Sequence, residues 1–76
     1  MAEKKTLDVR NLHFSTRYLE AMKMIEKMQK GDELELVSAT DPKALIYRTQ
    51  WDFPEVFDFT LLKDETLGYK LIIKRR

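Results

Sequence analysis

The chain predicts an α+β fold, and three observations carry that expectation. A 3.6-residue apolar stripe runs from Tyr18 to Met28, alternating apolar and polar segments flank it, and Asp41-Pro42 opens a second helix. The resulting order, β-α-β-α-β-β, is that of a two-layer α/β sandwich. Two strands followed by helices and closed by a C-terminal hairpin place both helices on one face of a four-stranded mixed sheet. With 76 residues, 43% of them hydrophobic and 36% charged, the chain has the makings of one folded domain over 1–76.

Thr6 to Arg10 alternates, with Leu7 and Val9 on one face and Asp8 and Arg10 on the other, which predicts a short half-buried strand. Ser15 or Thr16 is placed to cap the helix that follows. That helix is expected to reach about Lys30, with Tyr18, Ala21, Met22, Ile25 and Met28 inward and Met24 off the stripe. Glu26 and Lys30 stand at i, i+4, and Gly31 is expected as the left-handed stop. Glu33 to Val37 alternates again, a second strand. Asp41 is a good N-cap, and Pro42 suits the first helical position because it has no N–H to leave unpaired. This second helix should carry Leu45, Ile46 and Thr49 inward and end near Trp51, ahead of Pro54. Val56 to Leu62 puts Phe57, Phe59 and Leu61 on one face of a third strand. Lys63 to Gly68 forms a turn, with Gly68 free to take positive φ. Tyr69 to Lys74 turns Tyr69, Leu71 and Ile73 inward as the fourth strand. The open face should then be polar, showing Asp8, Arg10, Glu33, Glu35, Asp58, Thr60, Lys70 and Lys74.

Composition limits the function classes. A net charge of +1 gives no general electrostatic grip on nucleic acid or membrane. No apolar run approaches the roughly 18 residues of a membrane span, and no apolar region follows Lys4-Lys5 to form an export signal, so a cytoplasmic location is expected. The chain has no cysteine, which removes disulfides, thiolate nucleophiles and cysteinyl metal sites.

The segment Thr6-Leu7-Asp8-Val9-Arg10-Asn11-Leu12-His13-Phe14-Ser15-Thr16-Arg17 resembles the opening of the TusA (SirA-like) sulfur-carrier family. In that family a strand reading leucine-aspartate-x-x-glycine-leucine runs into Cys-Pro-x-Pro at a helix start. Here Phe14 stands in the cysteine slot, and Ser15 and Arg17 in the proline slots. The chain looks closest to an uncharacterised TusA-like branch that lacks the cysteine. Gly31-Asp32-Glu33-Leu34-Glu35-Leu36-Val37 and Asp41-Pro42-Lys43-Ala44-Leu45-Ile46-Tyr47 match that branch, as do Pro54, Phe57 and Phe59. Its Leu-Pro-Pro-Pro-x-Arg-His stretch survives in part: Arg17 keeps the arginine and Tyr18 takes the histidine position. The resemblance implies the same fold over nearly the whole chain, without the persulfide-carrying residue.

If the first two strands lie parallel, their carboxyl ends and the starts of both helices meet at one edge. That edge gathers Asn11, His13, Ser15, Arg17, Ser38, Thr40, Asp41 and Lys43. Open sheets place ligands beyond strand carboxyl ends, and helix N-termini favour anions there. The candidate site is therefore His13, Ser15, Arg17, Tyr18, Thr40, Asp41, Lys43 and Tyr47, suited to a small anionic ligand or a protein partner. The plain alternative is a set of solvated loop residues. His13 has no nucleophile or orienting partner nearby in sequence and no second His or Cys to share a metal, so neither catalysis nor a metal site is expected. Met22 and Met28 read as core fillers. Tyr47 and Trp51 could stack a planar cofactor such as a flavin, although packing of Trp51 against Phe53 is simpler and no cofactor is expected. Lys70, Lys74, Arg75 and Arg76 could touch phosphate, but their spacing suits solvent-facing strand positions, and nucleic-acid binding is not expected. The leading expectation is a non-catalytic binding or adaptor module. The alternatives are an accessory role in a sulfur relay or a flavin-binding module.

Overall fold

The computed structural model describes residues 2–66 and 68–76, with Phe14 described by its backbone alone. The elements are β1 (Lys4–Asp8), α1 (Phe14–Lys27), β2 (Glu33–Ser38), α2 (Lys43–Asp52), β3 (Phe57–Asp64) and β4 (Gly68–Arg75). The sheet order is β1-β2-β4-β3. β1 and β2 are parallel, with Leu7 beside Leu36, whereas β4 runs antiparallel to both β2 and β3. The expected order and the mixed sheet are both present.

Burial shows why the sheet has one covered face. Leu34 and Leu36 on β2, Leu71 and Ile73 on β4 and Phe57 on β3 form one cluster with Ala21, Met22, Ile25 and Met28 of α1 and Leu45 of α2. Ile25, Leu34, Leu36, Leu71 and Ile73 are almost wholly removed from water, and each such side chain contributes about 1.5–3 kcal/mol of transfer free energy. Both helices therefore cover the same sheet face. Tyr18 and Met24 pack at the margin of this core, so Met24 lies closer to it than the helical stripe suggests. Phe53 meets Phe57 edge to face, with ring centroids 5.7 Å apart.

The other face is less polar than expected. Val37 is buried there, between Asp8 and Lys70 in register, and Ile72 is half-buried. Lys70 pairs with Glu35 at 2.9 Å across this surface. Among the described residues, no helix is long and apolar enough to cross a membrane.

Several boundaries move, each for a visible reason. β1 starts earlier than Thr6 because the Glu33 N–H donates to the Glu3 carbonyl at 2.8 Å, extending the pairing upstream. It stops at Asp8, where Arg10 folds back onto the Asp8 carboxylate. α1 ends at Lys27 with Met28 extended, so Lys30 lies outside the helix and the expected Glu26–Lys30 pairing is not a helical one. Gly31 does take positive φ, at 90°, but its work is different. Its N–H donates to the Arg75 carbonyl at 2.9 Å while the Arg75 N–H donates to the Asp32 carbonyl at 3.0 Å. Two residues opposite one, with a left-handed glycine first, is a β-bulge at the start of β2. Gly68 takes φ 102° as expected. Leu67, within the expected turn, lies outside the described residues.

Candidate functional site

Parallel pairing of β1 and β2 brings both strand-to-helix corners to one edge of the sheet. At the first corner the Leu12 N–H donates to Val9 at 3.2 Å, and the His13 carbonyl receives the Arg17 N–H at 2.8 Å to open α1. His13 is the N-cap residue, and neither Ser15 nor Thr16 caps the helix. Ser15 instead lies one residue inside the helix, with its Oγ 3.1 Å from His13 Nδ1. His13 and Ser15 thus engage each other.

At the second corner, buried Ser38 holds the turn through both its lone pair and its proton. Its hydroxyl donates to the Thr40 carbonyl at 2.8 Å and accepts the Thr40 N–H at 3.3 Å. Asp41 Oδ1 accepts the Lys43 N–H at 3.1 Å, a capping bond made from one residue further out than a standard N-cap. Pro42 stands between them, and its carbonyl receives the Ile46 N–H at 3.2 Å. The Lys43 ammonium lies 3.8 Å from Asp41 Oδ2. That exposed pair contributes little to stability.

One long-range contact joins the two corners. Arg17 Nη1 donates to Thr40 Oγ1 at 3.1 Å. Beneath it is a shallow cavity of about 90 Å³, floored by Val9, Ala21 and Leu36 and rimmed by Arg17, Tyr18, Thr40 and Asp41. The structure therefore brings four of the expected site residues around one apolar-floored depression. Lys43 sits beside it, paired with Asp41. His13 and Ser15 do not line it. Tyr47 is 66% exposed on the outer side of α2.

Asp8 and Arg10 add to this edge. Arg10 Nη2 reaches Asp8 Oδ2 at 2.7 Å, and its Nε and backbone N–H both reach Oδ1 at 3.0 Å. The fork and the backbone bond from Arg10 hold the Asp8 carboxyl down to about 2, and the same fork raises the guanidinium further above its usual value.

Trp51 does not pack against Phe53 as expected; it is 84% exposed, one helical turn from Tyr47. Phe53 is taken by Phe57 instead. Neighbouring Arg48 bonds to Asp52 at 3.2 Å, which raises the pKa of its guanidinium. Three of the four C-terminal cations are engaged within the chain. Arg75 donates from its guanidinium to the Met28 carbonyl, Arg76 reaches Asp58 at 2.7 Å, and Lys70 pairs with Glu35.

The opposite end of the molecule holds a residue that periodicity passed over. Asp32 accepts the backbone N–H groups of Glu3 and Gln29, both at 2.8 Å. The Gln29 bond, and then the Glu3 bond, lower its pKa. Asp32 also borders a cavity of about 260 Å³ with Glu3, Lys5, Met24, Lys27 and Gln29. The signal for it was local: an aspartate directly after a left-handed glycine sits in turn chemistry, where a carboxylate readily takes backbone donors. Among the described residues, no group of three His, Asp or Glu side chains is placed to hold a metal ion.

No curated protein and no solved structure matches the chain. A family model described as "Uncharacterized conserved protein (DUF2249)" matches residues 6–75. With nearly every strand and helix inside that span, the chain belongs to the DUF2249 family.

Proposed function

We propose that this domain is a non-catalytic binding or adaptor module, TusA-like in descent, that receives an acidic protein loop or a small anion where its two helices begin. The observation that carries the reading is the Arg17–Thr40 hydrogen bond, which ties both strand-to-helix corners together over an apolar-floored depression. The N-termini of α1 and α2 both open at this edge, where helix dipoles favour negative charge; Asp41 already meets the first N–H of α2, and α1 has no side-chain cap. On the rim the Tyr18 hydroxyl is a donor available to an anion, whereas the Asp41 carboxylate is engaged by Lys43. The element order, the parallel β1–β2 pair and the helices on one face support TusA-like descent. Persulfide transfer through this chain has no thiol to proceed by, so any part in a sulfur relay is that of an accessory that docks a carrier. The site needs no resident cofactor in this reading.

The test is a titration of the uniformly ¹⁵N-labelled protein with inorganic phosphate, and separately with a short acidic peptide, followed by amide chemical shifts. Saturable shifts are expected at residues 15–18 and 40–44, with affinity reduced at least tenfold in Arg17→Glu. Shifts scattered over the surface, or an unchanged response in a folded Arg17→Glu protein, would refute the reading. The exposed Tyr47–Trp51 pair keeps a flavin-stacking alternative in view; added flavin whose absorbance and fluorescence are unaltered by the protein eliminates it.

A further inference from the structure

The two edges of the sheet are β1 and β3, and they differ in kind. β1 is five residues long and carries Lys4, Lys5 and Asp8, the short charged edge that discourages strand addition. β3 is eight residues long and runs Phe59-Thr60-Leu61-Leu62 without a charge. Leu61 and Leu62 are 37% and 46% exposed.

The direction of the β3 backbone groups follows from one bond. The Arg76 N–H donates to the Val56 carbonyl at 2.9 Å, and the register then pairs Phe57 with Arg75 through to Asp64 with Gly68. Hydrogen-bonded pairs alternate along an antiparallel ladder. Asp58, Thr60, Leu62 and Asp64 therefore bond to β4, while Phe57, Phe59, Leu61 and Lys63 turn their N–H and C=O groups outward. Among the described residues, no strand lies on that side and no backbone group from a turn or loop reaches those four.

We propose that β3 is a dimerisation edge that pairs antiparallel with β3 of a second copy, about a twofold axis passing beside Thr60. The axis must stand normal to the sheet, so only residues facing the same side can lie opposite one another. With Thr60 opposite itself, Phe59 meets Leu61 of the second copy and Phe57 meets Lys63. Every outward-facing residue then has a partner within the strand. Moving the axis to Leu61 would leave Phe57 opposite Glu65, beyond the end of β3. The side chains agree with the first register. Phe59–Leu61 is an apolar pair and Thr60–Thr60 a favourable β-branched one. Leu62 falls opposite Asp58, whose carboxylate Arg76 already holds at 2.7 Å. Lys63 falls opposite Phe57, with Glu55 of the second copy only diagonal to it, so the register rests on the backbone and the apolar pairs. An edge that pairs every outward backbone group with its own copy and sets Phe59 against Leu61 selects a second copy over a foreign strand.

A chain without cysteine makes single-cysteine variants unambiguous. Residues on the axis form a non-hydrogen-bonded pair with Cα atoms about 4.5 Å apart, inside the range a disulfide spans. Thr60→Cys, oxidised with diamide, is expected to give a disulfide-linked dimer at least tenfold more readily than Leu61→Cys or Leu62→Cys. Equal linkage of all three, or preferential linkage through Leu61→Cys, would overturn the assignment. A second arm uses sedimentation of the unmodified protein, which should double its mass as concentration rises. Leu61→Pro removes one outward N–H and no bond to β4, so it should keep the wild-type circular dichroism and stay monomeric. A wild-type protein that is monomeric at ~1 mM, or a dimer indifferent to Leu61→Pro, refutes the proposal.

Discussion

The Asp32 carboxylate accepts the backbone N–H of Glu3 at 2.8 Å, tying the start of β1 to the bulge that opens β2. Its other oxygen holds the Gln29 N–H just past the end of α1. One side chain thus fastens the end of α1 and the start of β2 to the start of β1, which is distant in sequence. Because both donors favour the ionised form, the folded carboxyl titrates below its ordinary value. The sign follows from linkage: the stabilisation is complete above the unfolded value of about 4 and is lost as pH falls through the lower folded value. Asp32→Asn should lower the urea midpoint at neutral pH, because an amide offers one acceptor to two donors. The gap to wild type should be flat from pH 7 to about 5 and narrow below about 4. Asp8 titrates low as well, but it is common to both proteins and cancels in the difference. A gap that stays constant down to about pH 2 would show that the carboxylate charge is irrelevant.

The same corner explains where the sequence was legible and where it was not. The inward stripe of α1 is written in the 3.6-residue spacing of Ala21, Ile25 and Met28, and all three are buried. The end of that helix is set by Asp32, a nearby turn residue that the apolar spacing does not mark, and by the Arg75 guanidinium on the Met28 carbonyl, a partner that no local window contains. β3 is longer than its apolar alternation suggests because β4 pairs with it through Asp64. The candidate site divides in the same way. Topology places Arg17 and Thr40 at one edge, and the parallel strands were readable from the helices between them. That His13 engages Ser15 rather than the cavity depends on rotamers, which residue spacing does not specify.

Gly68 is the position least able to accept a side chain. Its φ of 102° is disfavoured for L-residues, and a Cβ there would stand 2.7 Å from the Ser38 carbonyl oxygen. The obstacle is backbone and belongs to the segment that holds Thr40 in place. Gly68→Ala should destabilise the domain by about 1–3 kcal/mol in urea denaturation. It should also shift the amide resonances of Ser38 and Thr40. Wild-type stability in this variant would mean that the turn relaxes freely.

Ile73 lies in the second half of β4, fully buried and flanked by Leu34 on one side and Phe59 on the other. Truncation leaves a cavity that the two neighbouring strands and the surrounding core would have to close. Ile73→Ala is expected to cost about 2–5 kcal/mol and Ile73→Val about 0.5–1.5. Leu62, at 46% exposure on the neighbouring strand, is the comparison: Leu62→Ala should stay within roughly 1 kcal/mol of wild type in the monomer. Equal losses at the two positions would contradict the one-sided core.

Trp51 is the sole tryptophan and is 84% exposed, so its fluorescence reports the outer face of α2 alone. With its ring in water, the folded protein should emit at nearly the same wavelength as the urea-unfolded chain, and acrylamide should quench both to a similar degree. Unfolding must then be followed by circular dichroism. Trp51→Ala should change stability by no more than about 0.5 kcal/mol, because the side chain fills no space in the core. The same exposure makes the ring a probe for the edge proposed to bind anions. A ligand seated between Arg17 and Thr40 lies at the start of α2, whereas Trp51 is in its last turn, so phosphate should leave the emission unmoved. A blue shift on adding phosphate would place binding on the Tyr47–Trp51 face and away from the helix N-termini.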